Sequence, residues 1–293
     1  MPELPEVESL RRSLHRHLLP TRSRVRVTGV TVAREDVCAK ICADGGMSKS
    51  ARADLLLGTT LTNTSRRGKQ LALHCDTGRV VVIHLGMSGS LAFSPATNTK
   101  PRESHTHIVW SLADVATSEA VGELRFRDPR RFGKVRCCEN LQVVENTLWA
   151  KVGPDALTIT DDHLNAACGA SARAIKAALL DQRVLAGVGN IYADESLYRA
   201  GIHPARVCKS LSHPDMVRLA ASVHAVLADA VALGGTTLRD YANADGQRGD
   251  AGASLRAYGR AGQACLSCGA TLRSGTIAQR TTVWCDHCQP ALR

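Results

Sequence analysis

Four cysteines near the carboxy terminus, spaced Cys265-x2-Cys268-x16-Cys285-x2-Cys288, constrain the fold of this chain more than any other feature. Each pair puts two sulfurs on one tight turn, where both can reach a single tetrahedral ion, and the spacer suits a β-hairpin. Four thiolates leave no open position, so the expected metal is one structural zinc ion that holds a fold and does no chemistry. Between the pairs stand Arg273, Gln279 and Arg280. An exposed arginine on such a hairpin is placed for phosphate, or is simply a solvated charge. The other seven cysteines (Cys38, Cys42, Cys75, Cys137, Cys138, Cys168, Cys208) are scattered, apart from a loose Cys38/Cys42 pair. They read as reduced thiols and not as a disulfide framework.

The chain has 293 residues, room for two domains and a small appendage, and 44% hydrophobic content excludes wholesale disorder. Its longest apolar run, Val80 to Leu85, contains His84 and falls well short of the roughly 18 residues of a membrane span. The opening MPELPEVE has no apolar signal core behind it. A soluble, cytoplasmic protein without a membrane partner is expected. Lys+Arg exceeds Asp+Glu by 37 to 27, for a net charge of +10, and 29 of the basic residues are Arg. The guanidinium fork matches phosphate and base edges, which favours a nucleic-acid partner, although a high-GC genome also enriches Arg. Aromatics at 3% argue against a single-strand binder built on stacking.

Along the chain, Val7, Leu10, Leu14 and Leu18 form one helical stripe between Pro5 and Leu19, with acids early and bases late. Alternation marks strands at 24–32, 70–74, 79–85, 107–112 and 123–127, while 33–54 and 93–104 read as polar loops. After one helix, the first 150 residues are expected to be all-β, a sandwich or a barrel. Beyond Gly153-Pro154 the period becomes helical, around Ile175–Leu179, Ile191–Tyr198 and Met216–Leu233. The stretch 242–262, rich in Gly, Ala and Asp, reads as a mobile loop.

Two further motifs bear on chemistry. Gly187-Val188-Gly189-Asn190 opens a helical run, and glycines there let backbone N–H groups approach an anion at a helix start. Asn190 could cap that helix or donate to a phosphate; taken alone, most such turns are structural. At the amino terminus, removal of Met1 would leave Pro2 with a free secondary amine, able to attack an aldehydic carbon and form a charged imine. Glu3, covalently next to it, can serve as proton donor or acceptor. The nearby helix start lowers the amine pKa and the Glu3 carboxylate raises it.

These motifs resemble those of bacterial formamidopyrimidine-DNA glycosylases. The likeness is carried by MPELPEVE (1–8), RRGK (66–69), HLGMSG (84–89), DPRRFG (128–133), GVGNIYADESLYRAGIHP (187–204), GGTT (234–237), YGR (258–260) and a zinc hairpin ending AQRTTVWC. MPEL and the DPRRFG block are similar to this branch more than to endonuclease VIII. The resemblance implies an α+β multidomain protein with three parts. These are an amino-terminal β-sandwich with flanking helices (1–150), a helix-two-turn-helix domain with a lesion-capping loop (151–261) and a four-cysteine zinc finger (262–293). Damaged double-stranded DNA would lie in a basic cleft between the halves of a monomer.

By the same resemblance the activity would be base excision of 8-oxoguanine and formamidopyrimidines, followed by strand cutting through β,δ-elimination, with zinc as the one cofactor. Pro2 would be the nucleophile, Glu3 the general acid/base, and Lys69 a contact to phosphate or lesion. Asn190 and Arg280 would grip phosphates, Gly189 would belong to the same DNA-binding set, and Met87, Arg130 and Phe132 would enter the duplex. Read without the resemblance, Met87 and Phe132 would be core residues and Arg130 a solvated charge. Two departures stand out: 33–54 matches the family poorly, and Gly249-Asp250-Ala251-Gly252 replaces an aromatic pair in the lid. The alternatives are a glycosylase for oxidised pyrimidines, or a non-catalytic zinc-dependent DNA-binding relative.

Overall fold

The computed structural model describes residues 2–21, 23–41, 47–48, 55–98, 101–237 and 241–291. Cys42 and most of 42–54 lie outside these. The chain divides into two compact units. The first comprises Met1–Pro2, Glu6–Lys151 and Thr236–Gly249; the second comprises Glu3–Pro5, Val152–Gly235 and Asp250–Arg293.

The first unit contains most of α1 (Leu4–Leu18) and ten described strands. In order they are β1 (Val25–Val32), β2 (Cys38–Ile41), β3 (Met47–Ser48), β4 (Leu61–Arg67), β5 (Gln70–Cys75), β6 (Val80–His84), β7 (Ser90–Pro95), β8 (Thr106–Asp114), β9 (Ala120–Arg127) and β10 (Lys134–Cys138). Two sheets form, ordered β1-β8-β9-β7 and β3-β2-β10-β6-β5-β4. All pairs are antiparallel except β2 with β10. Alternate residues of both sheets share one core: Val25 and Val27, Leu71 and Leu73, Val81 and Ile83, Ile108 with Trp110 and Leu112, and Leu124 with Phe126. This period of two is what a half-buried sheet requires, and it resolves the sandwich-or-barrel alternative in favour of the sandwich. The α1 stripe Val7, Leu10, Leu14 and Leu18 packs into the same core, each residue no more than 1% exposed.

Strands β2 and β3 fall inside 33–54, which polarity alone marks as loop. Their side of the sheet is short and lies at its edge. Strand β4, LTNTSRR, carries too few apolar residues to signal itself and is fixed by its register with β5.

The second unit is helical: α2 (Asp161–Cys168), α3 (Ile175–Leu180), α4 (Asn190–Ala200) and α5 (His213–Ala232), followed by a hairpin of β11 (Arg273–Ile277) and β12 (Arg280–Trp284). Helix α5 starts on a capping box in which Ser212 and Asp215 satisfy each other's backbone N–H groups. Helix α4 ends on Gly201, whose φ of 66° is a left-handed conformation that glycine adopts without a steric penalty. Among the described residues, no helix is long and apolar enough to cross a membrane.

The segment 242–262 is not the loose loop its composition suggests. In the first unit, the Ala244 N–H donates to Ser13 Oγ at 3.0 Å, and the Ala244 carbonyl accepts from the Phe93 N–H. Asp245 binds Arg16 (2.8 Å) and His17, and the His17 ring stacks on Phe93. In the second unit, the N–H groups of Arg256, Ala257 and Tyr258 converge on the Glu195 carboxylate at 2.8–3.1 Å. Side-chain anchors elsewhere in the chain, invisible to a window of local composition, hold this stretch in place.

A carboxylate on α1 gives a test of the first unit. Burial opposes ionisation of Glu8, but Arg11 (2.8 Å), Arg12 (2.9 Å) and Arg66 (3.1 Å) more than offset it and lower its pKa to about 2. A lowered carboxyl pKa adds stability that is full above the unfolded value and disappears as pH falls through the folded one. Glu8→Gln is therefore expected to cost about 3 kcal/mol at neutral pH. That gap should close as pH falls from 4.5 towards 2, as measured by urea unfolding across that range.

Candidate functional site

Glu3 is 3% exposed, and its carboxylate sits at the start of α4. It accepts N–H groups from Gly189 (2.7 Å), Ile191 (3.0 Å) and Tyr192 (3.4 Å). The first turn of a helix has N–H groups without intrahelical partners and a positive dipole end, and here an anion from the chain itself satisfies both. The glycines of the GVGN turn now have a physical reason. A Cβ on Gly189 would lie 2.4 Å from the Glu3 carboxyl carbon, and one on Gly187 would lie 2.5 Å from Leu4. Gly187 also has a φ of 111°. The sequence places Gly189 in the DNA-binding set, on a turn whose N–H groups can approach an anion; in the structure its N–H is given to Glu3. Pro2, half-buried, precedes Glu3 by one peptide bond.

Asn190, the first residue of α4, donates from Nδ2 to the Thr281 carbonyl on β12 at 2.9 Å. Arg280 is exposed at the start of the same strand. The two-residue turn before it, Ala278-Gln279, has φ values of 50° and 59°, a left-handed pair that usually calls for Asn-Gly. Such strain is commonly held where a side chain must be presented in a set direction.

The four cysteines meet at the base of this hairpin. Their sulfurs all lie within 4.8 Å of one another, with Cys265 to Cys288 at 3.8 Å and Cys268 to Cys285 at 3.5 Å. Sulfurs about 2.3 Å from a tetrahedral zinc stand about 3.8 Å apart, so the donor set and its spacing fit that ion. The Tyr198 hydroxyl reaches Cys265 Sγ at 3.0 Å, and Gln289, fully buried, accepts the Cys285 N–H at 3.0 Å.

In the first unit, Lys69 follows Gly68 in the turn between β4 and β5 and is 7% exposed. The turn is braced by Arg66, which donates to Glu8 at 3.1 Å and to the Gly68 carbonyl at 3.0 Å. Burial, with Lys69 and Arg136 nearby, draws the His84 imidazole below its usual range.

Met87 and Phe132 are 46% and 50% exposed, so the core reading of these two residues fails. They stand on two loops bound to each other. Ser88 Oγ donates to Asp128 at 2.6 Å, the Arg130 N–H donates to Ser88, and the Gly133 N–H donates to Asp128 at 2.7 Å. A Cβ on Gly86 would lie 2.6 Å from the Phe132–Gly133 backbone. The guanidinium carbon of Arg130 lies 4.7 Å from the Phe132 ring centroid. Arg131, between them, is left-handed at φ 58°. Asp128, fully buried, and Ser88 are the residues that sequence reasoning missed. Their signal was an aspartate ahead of a tight basic turn, where a carboxylate can gather otherwise unpaired N–H groups.

Comparison with known proteins places this geometry. Three family models match in order: the formamidopyrimidine-DNA glycosylase N-terminal domain over 1–135, its H2TH domain over 152–242, and a zinc finger found in FPG and IleRS over 262–291. The chain belongs to the formamidopyrimidine-DNA glycosylase family. A formamidopyrimidine-DNA glycosylase of Xanthomonas campestris is 45% identical, covering 99% of this chain and all of the relative. One of Shewanella loihica is 40% identical with the same coverage. Among solved structures, a Lactococcus lactis FPG mutant bound to Fapy-dG-containing DNA is similar with a TM-score of 0.85 and 29% identity, covering 99% of this chain and 100% of that one. MutM of Thermus thermophilus is similar with a TM-score of 0.81 and 34% identity, covering 98% of each chain.

The Glu3 cradle yields a direct test. Gly189→Ala would force its Cβ into the carboxylate and displace it. The expected result is a loss of base-excision rate of about a hundredfold, as for a misplacement near 1 Å, with metal content unchanged. Single-turnover base release together with metal content would measure it. A rate within threefold of the parent would show that Glu3 tolerates displacement.

Proposed function

We propose that this protein is a base-excision-repair DNA glycosylase and abasic-site lyase that removes oxidised purines, 8-oxoguanine and formamidopyrimidines, from double-stranded DNA. The observation that carries this reading is the display of Met87, Phe132 and Arg130 on two loops locked by Asp128. Single exposed apolar residues are ordinary, but here two of them flank an arginine on loops tied to each other. Apolar side chains offered next to a guanidinium suit insertion into a base stack: Met87 as a plug, Phe132 as a wedge, and Arg130 as donor to the orphaned base. Flipping a nucleotide costs a few kcal/mol, and such residues offset it. A related Lactococcus protein has been crystallised on abasic-site DNA and on Fapy-dG DNA, which fits the same use.

The chemistry follows from Pro2 and Glu3. With Met1 removed, the Pro2 nitrogen attacks the sugar C1′, the glycosidic bond breaks, and the departing base takes up a proton. The C1′–O4′ bond then opens, O4′ takes up the proton that the amine gives up, and the nitrogen lone pair completes an iminium cation, which acidifies the C2′ proton. Loss of that proton expels the 3′ phosphate, a second elimination expels the 5′ phosphate, and water releases the amine. The imine is the electron sink, so no redox partner enters. Glu3 relays protons from a position fixed by three backbone N–H groups. Lys69 contacts phosphate or lesion, and Asn190 and Arg280 grip the flanking phosphates. Zinc at Cys265, Cys268, Cys285 and Cys288 would hold the hairpin that presents Arg280. Functionally we divide the chain as 1–150 for catalysis, 151–261 for helical DNA binding and 262–293 for the zinc finger. We take it to act as a monomer in a reducing cytoplasm, consistent with Cys38, Cys75, Cys138, Cys168 and Cys208, which are buried and not joined in disulfides.

Borohydride reduction of a reacting mixture tests the nucleophile. An adduct mapping to the amino-terminal peptide is expected, and any amino-terminal extension, which converts the amine to an amide, should abolish it while DNA binding persists. An adduct on Lys69 would overturn the assignment.

The wedge has its own test. Phe132→Ala and Met87→Ala should slow excision from a paired duplex by about tenfold or more while changing cutting at a preformed abasic site little, since less unstacking remains there. Equal slowing on both substrates would indicate damage to the fold.

A further inference from the structure

Lys176 on α3 and Asp194 on α4 form an ion pair at 2.6 Å, and their side chains are 0% and 1% exposed. Neither belongs to the chemistry described above. Between them they reach three consecutive residues of β12. Lys176 Nζ donates to the Thr281 carbonyl at 3.1 Å and to Thr282 Oγ1 at 2.8 Å, and Asp194 accepts the Val283 N–H at 3.1 Å. The Thr281 carbonyl is also the acceptor for Asn190 Nδ2. The strand that begins with Arg280 is thus tied, residue by residue, to the helix that begins with Asn190.

We propose that the buried Lys176–Asp194 pair is a positioning device that fixes Arg280 relative to Asn190, so that the two side chains engage DNA phosphates as one preset unit. The inference rests on the reading of Arg280 and Asn190 as phosphate contacts.

A purely structural role does not require two charges here. Desolvation makes buried ion pairs poor stabilisers, and well-packed apolar residues of similar volume often hold a fold as well or better. Asp194 reflects that cost. Burial raises its carboxyl to about 6, with Glu195 adding to the rise and Lys176 and the Val283 N–H opposing it. Burial also draws the Lys176 ammonium down; Arg280 works in the same direction, and Asp194 and Glu3 work against it. What the charges add is direction: a lysine with three donors and a carboxylate with two oxygens specify a register that methyl groups cannot.

The test uses the full-length, zinc-loaded protein and a duplex carrying a tetrahydrofuran abasic analogue. Arg280→Ala should weaken binding about tenfold and flatten the logarithmic salt dependence by about 0.9. The double variant Lys176→Met/Asp194→Leu should retain zinc and melt no lower than the parent, yet bind as weakly as Arg280→Ala. Adding Arg280→Ala to it should change nothing further. Lys176→Arg, which keeps the charge, should recover part of the affinity. In the parent, the advantage over Arg280→Ala should shrink as pH falls below about 6, where Asp194 takes up a proton, and Asp194→Asn should remove that pH dependence. This pH arm decides the matter if the double variant does not fold. If Arg280→Ala binds normally, the phosphate reading itself fails. If Arg280→Ala is weak but costs the same tenfold in the apolar background, or its cost is flat with pH in the parent, the pair is structural and the inference is overturned.

Discussion

The carboxylate of Glu3 lies against the N–H groups of Gly189, Ile191 and Tyr192, and much of the second unit is arranged around that contact. An anion buried at 3% exposure survives only if its oxygens are satisfied, and a helix start supplies donors that have no other partner. The requirement propagates outward. Leu4 must follow directly, its N–H given to the Gly187 carbonyl at 3.0 Å, and the turn facing it can carry no side chain at 187 or 189. One peptide bond earlier stands Pro2, so fixing Glu3 also limits where the Pro2 nitrogen can be. A helix start that holds a carboxylate of its own chain is then not free to hold another anion through the same N–H groups.

Helix α4 extends the same logic along its length. Nine of its eleven residues are buried, among them Asp194, Glu195, Ser196 and Tyr198. A helix buried on nearly every side is usually apolar, and the buried charged and phenolic groups here take partners found elsewhere in the chain, while Ser196 Oγ has none among the described residues. Asp194 takes Lys176 and β12, Glu195 takes the backbone of 256–258, and Tyr198 takes Cys265 and Ser267 at 2.8 Å. Within the second unit, one helix therefore sets the hairpin, the YGR turn and the cysteine cluster together. The long run GVGNIYADESLYRAGIHP is legible as a motif in the sequence. Its reason is not, because every partner lies at least several residues outside it.

What sequence alone could reach follows the same division between local and distant causes. The α1 stripe, the alternation of β8 and the Cys-x2-Cys turns are local patterns, and each stands where its period or spacing requires. Strand β4 was unreadable because its neighbours, not its own polar residues, make it a strand. Asp128 was unreadable as a brace because Ser88 is 40 residues away. Met87 and Phe132 illustrate the limit from the other side: by composition they are core residues, and only the packed positions of Gly86 and Gly133 reveal that their loops are turned outward.

The stretch 241–249 shows why a count of glycines cannot stand for mobility. Each glycine raises the conformational entropy lost on ordering by about 0.5–1 kcal/mol relative to Ala, which would argue for an open strap. Yet within the first unit the Tyr241 hydroxyl donates to the Glu6 carbonyl at 2.6 Å, Ser13 and Phe93 hold Ala244, and Arg16 and His17 hold Asp245. Several hydrogen bonds to partly buried groups, each with a net contribution near 1 kcal/mol, together with an ion pair, exceed that entropy for one short segment. In this chain the stretch 241–245 is ordered by polar anchors from α1 and β7 within the first unit itself, and its glycine content does not measure its mobility.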